Sequence, residues 1–138
     1  MDYMELKEKH EREFDEFAEK NMFFAFSNEQ LEEGLEKLNT TTEGIYSVGA
    51  GGFVLKSKSK DLHNLMDKFK EELSKHMENK EFAYGAFKYE LANHEYVYTG
   101  DNTEILDLFD LCHDGLKEKN LIETYNKAVT DYLNEVEA

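Results

Sequence analysis

The chain has 138 residues, 16 Lys and Arg against 31 Asp and Glu, a formal net charge of −15, and one cysteine, Cys112. Such a length supplies a single domain (residues 1–138) with its own core, one cysteine excludes an intrachain disulfide and a four-thiolate zinc site, and no run approaches the roughly 20 apolar residues of a membrane span. The charge is uneven, net −8 over residues 1–43, +2 over 44–89 and −9 over 90–138, which disfavours direct contact with a nucleic-acid backbone and favours a basic protein partner or simply solubility.

Taken in chain order, Tyr3, Leu6, His10, Phe14 and Phe17 step by three and four residues, predicting a long amphipathic helix with His10 half-buried in its apolar stripe. Its other faces carry Glu5, Glu8, Glu11, Asp15, Glu16 and Glu19. "MFFAF", Met22 to Phe26, is short and continuously apolar and reads as a buried strand or extended core segment. Ser27 with Gln30 forms a capping box that opens a helix lined by Leu31, Leu35 and Leu38. Gly34 inside that helix costs roughly 1 kcal/mol against alanine, so close packing on the neighbouring strand is its expected reason.

Ile45 to Val48 and Phe53 to Leu55, separated by Gly49, Ala50, Gly51 and Gly52, predict a hairpin. A phosphate loop would need a helix directly after its glycines, and a strand follows here. The basic run Lys56 to Lys60 leads, with Ser57 or Ser59 as cap, into a second long amphipathic helix through Leu62, Leu65, Met66, Phe69 and Leu73. From Phe82 to Tyr98 apolar residues occupy two sides of a helical period, predicting a central helix. Gly100 closes it, Asp101 and Glu104 form a further capping box, Cys112 to Gly115 read as a turn, and a last helix buries Leu121, Ile122, Tyr125, Val129, Tyr132 and Val136. The expected fold is therefore α+β, a small antiparallel sheet of about three strands packed against four or five helices.

Two constellations point to chemistry. Glu90 and His94 at i and i+4, with Glu95 beside them, would suit a small metal- or ligand-binding enzyme, but a hydrolytic zinc helix uses two histidines flanking a glutamate and only one is present. The bland reading has Glu90 and His94 bonding each other in a crowded helix end. Cys112, His113 and Asp114 are adjacent, and adjacent side chains diverge too far for a nucleophile and its base. No catalytic residue, metal ligand or cofactor-binding residue is therefore expected, and no cofactor.

The acidic surface is the remaining signal. Carboxylates on the first and last helices imitate the negative charge of a duplex, and exposed aromatic anchors would add specificity. Tyr3, Tyr96, Tyr98 and Tyr132 are candidates for that role if exposed. "MFFAFSNEQLEEGLEKL" at Met22 to Leu38 and "FKYELANHEYVYTGD" at Phe87 to Asp101 resemble segments of a group of small uncharacterised proteins from bacterial phages and mobile elements. That resemblance implies a genomic setting rich in inhibitors of host defence nucleases, several of them small and acidic. The expectation is a non-enzymatic acidic binding protein, a DNA mimic of anti-CRISPR type acting in the host bacterial cytoplasm. It would inhibit a basic nucleic-acid-binding partner, such as a CRISPR or other defence nuclease, through Glu5, Glu8, Asp15, Glu16, Glu19, Tyr96 and Tyr98. A small enzyme centred on Glu90, His94 and Glu95, and a structural homodimer, are the alternatives.

Overall fold

Seven α-helices and one three-stranded antiparallel sheet make up the described part of the computed structural model, residues 1–96 and 100–137, with Glu137 described by its backbone alone. This is the α+β class expected. The chain forms two compact units, Glu8–Phe69 and the combination of Met1–Lys7 with Lys70–Ala138. Helices α1 (Tyr3–Asn21) and α3 (Ser59–His76) contribute residues to both.

Within Glu8–Phe69, α1 leads into β1 (Met22–Phe24), α2 (Asn28–Lys37), β2 (Ile45–Gly49) and β3 (Gly52–Leu55), with short 3₁₀ turns at Thr42–Gly44 and Lys56–Lys58. The second turn runs straight into α3, without a serine cap. Strand order is β1-β3-β2, and β1 and β2 both pair antiparallel with β3, placing Phe23 opposite Phe53 and Ser47 opposite Phe53. The hairpin closes through Ala50 and Gly51, both at positive φ (51° and 78°), the signature of a type I′ turn whose twist suits the strands. Ser27 caps α2 by accepting the Gln30 N–H, as predicted, while Gln30 Oε1 accepts the Phe26 N–H at 2.7 Å, so the return bond of the capping box falls one residue before the cap. His10 is half-buried and stacks on Phe69 at 4.2 Å, and Glu13 accepts from Lys68 at 2.9 Å, fixing the inner face of α1 on α3.

"MFFAF" departs from expectation. Met22 and Phe23 are buried, but Phe24 is 52% and Phe26 77% exposed. Among the described residues the sheet has three strands, and past Phe23 the partners across from β1 and its continuation are Gly52 and Gly51, which carry no side chain to cover an aromatic ring.

In the other unit the core gathers around α4 (Lys80–Asn93), which buries Phe82, Ala83, Ala86, Phe87, Glu90 and Leu91 on more than one side, as a central helix does. Asn79 caps it by accepting the Phe82 N–H. Phe87 meets Phe109 and Tyr125 edge-to-face at 5.2 Å each. Helices α5 (Thr103–Leu108), α6 (His113–Glu118) and α7 (Ile122–Glu137) complete it. The helix count exceeds the four or five expected for a local reason. Cys112 Sγ accepts the Gly115 N–H at 3.4 Å and so opens α6 where a turn was expected, and Asn120 at φ 57° separates α6 from α7. The expected Asp101–Glu104 capping box is also displaced: Asn102 is the N-cap of α5, Asp101 accepts the Thr103 N–H, and Glu104 turns to His94. The central helix ends at Asn93, with Glu95 at φ 52°; the expectation that it continues to Tyr98 falls partly on residues 97–99, outside the described part.

Candidate functional site

The Glu90 constellation assembles in three dimensions, around a carboxylate that is 1% exposed. Tyr3 donates its hydroxyl to Glu90 Oε1 at 3.0 Å, and the Lys7 ammonium reaches the same oxygen at 2.9 Å. On the other side His94 Nε2 stands 3.3 Å from Glu90 Oε2, and His94 Nδ1 stands 3.4 Å from Glu104 Oε2. Lys7 also sits over the Tyr89 ring at 5.0 Å and the Tyr3 ring at 5.4 Å. Burial, followed by the charge and hydrogen bond of the Glu90 carboxylate, pushes the Tyr3 phenol well above its ordinary pKa. Both carboxylate oxygens of Glu90 thus face donors, and the arrangement ties the chain's first turn and α5 to the central helix.

The other candidate residues stand apart from this cluster. Glu95 is exposed at the reversal after α4; His76 is stacked on Phe82 at 5.0 Å; His63 and His113 are exposed. Among the described residues no group of three or more His, Cys, Asp or Glu could hold a metal ion. Cys112 is exposed and serves α6 as its N-cap.

The acidic residues form a different kind of site. On the Glu8–Phe69 part of α1, Glu8, Glu11, Asp15 and Glu19 are all exposed and follow one another by three or four residues. They make a single line of carboxylates roughly 16 Å long at 1.5 Å of rise per residue. Arg12, Glu16 and Lys20, also exposed, lie alongside. The ion pairs of this stretch run instead through Lys9 and Glu13 to the inner side, leaving the outer carboxylates to solvent. α2 adds Glu29, Glu32, Glu33 and Glu36, all exposed. Glu5, in the other unit, is exposed as well. The last helix differs, because Asp131 accepts from Tyr84 at 2.5 Å and Glu135 is paired with Lys88, so carboxylates there hold α7 to α4.

Between α1, β1 and α2 an open groove of about 460 Å³ is lined by the buried Phe23 and Gly34 and by the exposed Phe24, Glu19 and Glu33. Of the tyrosines, Tyr3 and Tyr132 are core residues, Tyr96 is half-buried with its ring 6.4 Å from that of Tyr132, and Tyr98 lies outside the described residues. Among the described residues the exposed aromatics are Phe24, Phe26 and Tyr46. Sequence reasoning took the first two as core because an apolar run looks alike whether covered or bare; the signal available was the glycine pair 51–52 across the sheet.

The model of a family of unknown function, DUF7659, matches residues 2–131, and the chain belongs to that family. No curated protein and no solved structure matches the chain.

Proposed function

We propose that this member of the DUF7659 family is a non-enzymatic acidic binding protein whose carboxylate-lined α1 occupies the basic, nucleic-acid-binding surface of a partner protein, a defence nuclease being the kind of partner that the phage-type resemblance of its sequence suggests. The observation that carries this reading is the line Glu8, Glu11, Asp15 and Glu19, exposed and, among the described residues of its unit, without an ion pair, with Glu16 beside it. A surface of this kind raises the potential that steers a basic partner and gives fast, salt-sensitive association. Less weight falls on Glu90 and His94 as a reacting pair, because the carboxylate already has Tyr3, Lys7 and His94 as partners.

The test is recovery of partners from host lysate on the immobilised protein at low and high salt, in parallel with a variant carrying Glu8→Lys, Glu11→Lys, Asp15→Lys and Glu19→Lys. The expected result is a basic nucleic-acid-binding protein retained at low salt, released by salt, and lost from the variant. Equal recovery by both forms would remove α1 from the interface.

A further inference from the structure

The groove over β1 combines features that the acidic surface alone does not have. Phe24 is among its lining residues and is 52% exposed, although the two residues before it in the same strand are buried. Phe26, at 77% exposure, has its ring beside Gly51, and the Phe24 ring lies beside Gly52, so both exposed rings stand next to the hairpin turn. Aromatic side chains left in water at the edge of a concave surface are unspent hydrophobic free energy and mark docking sites more often than solvated faces. At the rim stand Glu19 and Glu33, with Lys37 as the one cation among the lining residues. Around it lie the α1 line and the α2 carboxylates, and the unit Glu8–Phe69 holds 13 Asp and Glu against 8 Lys and Arg. That balance repels a second copy of the same face and attracts a positive one.

We infer that this groove is the anchor site for a basic amphipathic segment of the partner: an apolar side chain docks beside Phe24 while flanking Lys or Arg residues meet Glu19 and Glu33. The inference rests on the proposed binding function and adds the dry contact that a purely electrostatic complex lacks. In such interfaces a few desolvated apolar contacts carry most of the affinity, and a charged rim sets the partner and the rate. The seat is rigid, since Phe23 beneath it is stacked on Phe53 at 5.3 Å and pressed against Gly34.

Fluorescence anisotropy with three labelled probe peptides tests it: an amphipathic Lys/Leu helix, a Lys/Ser peptide of the same charge, and a Glu/Leu helix. The Lys/Leu probe is expected to bind tightest. Phe24→Ser should weaken it by about tenfold and leave the Lys/Ser probe unchanged, with Phe26→Ser as a second variant on the same exposed patch. Glu33→Lys should weaken both Lys-containing probes. Circular dichroism melts establish that the variants fold. Unchanged Lys/Leu binding in both Phe variants overturns the groove as anchor, and does so without touching the α1 reading, which fails separately if the four-fold α1 charge reversal leaves the Lys/Ser probe bound. Equal affinity for Lys/Leu and Glu/Leu probes overturns the charge argument. Sedimentation as a dimer that Phe24→Ser dissociates would reassign the groove to self-association and also overturn the inference.

Discussion

Gly34 shows how one missing methyl group positions a surface. A Cβ built there would stand 2.0 Å from Cδ2 of Phe23, far inside any tolerable contact. The helix therefore gives up the roughly 1 kcal/mol that alanine would add so that α2 can close on β1. Gly34→Ala should destabilise by roughly 1–3 kcal/mol net, as overpacking does, read as a lower denaturant midpoint; a neutral or stabilising result would mean that Phe23 has another place to go. Tyr3 makes the second residue-scale case. Its hydroxyl is one of the donors to a carboxylate that is 1% exposed, so Tyr3→Phe should cost about 1–3 kcal/mol through the under-satisfied Glu90. Its pH signature is separate. The folded chain keeps a phenol proton that the unfolded chain releases near pH 10.0, so this stabilisation is whole below that pH and declines as pH rises beyond it. Unfolding measured at several alkaline pH values should show a shallower decline in Tyr3→Phe than in the parent.

Among the elements, the β2–β3 hairpin holds a clear local conflict. Ala50 adopts φ 51° at the first central position of a two-residue turn, a region that costs an ordinary L-residue roughly 1–2 kcal/mol. Asparagine tolerates it, and Asn-Gly is the preferred pair for this turn. Ala50→Asn should raise stability by about 0.5–1 kcal/mol, visible as a higher melting temperature with the groove unaltered. At the α4–α7 seam, Tyr84 is bracketed by cations, Lys127 at 4.4 Å and Lys88 at 5.9 Å, and donates to Asp131. That donated hydrogen bond, ahead of the Lys127 charge, holds the Asp131 carboxyl below its ordinary 3.8. The stabilisation is present above that value and is lost as pH falls through the lowered one. Asp131→Asn should accordingly lower stability in the neutral region and flatten part of the acid limb of a stability–pH profile, the two profiles converging at low pH. Element types along the chain were legible because the apolar period is strong in α1, α3 and α7 and because glycine marks the hairpin. Helix ends were less so: Cys112 as a cap and Asn120 in the left-handed region follow from local bonds that no apolar period reports.

For the whole molecule, charge is the dominant long-range term. A net charge of −15 repels itself, and salt shortens that repulsion to about 10 Å at 0.1 M. The melting temperature should therefore rise from low to moderate NaCl, the opposite of a protein held together by surface ion pairs. The α1 charge-reversal variant, with four carboxylates replaced, should show a weaker rise. A fall with salt in the parent would mean that pairs such as Lys68–Glu13 and Lys88–Glu135 outweigh the repulsion. Among the described residues no helix is long and apolar enough to cross a membrane.

Composition and periodicity alone determined the class of fold, the acid faces of α1 and the glycine hairpin, since each follows from local spacing and from charges that have nowhere to go but water. Tertiary structure alone decided which aromatics stay exposed and which carboxylates are already engaged. Tyr3 and Phe24 both stand in apolar contexts in the sequence, yet one is buried against Glu90 and the other borders an open groove. The difference lies in what faces them across the fold, a buried carboxylate for Tyr3 and a bare glycine for Phe24, and such partners, distant in the chain, leave no mark on the residues beside them.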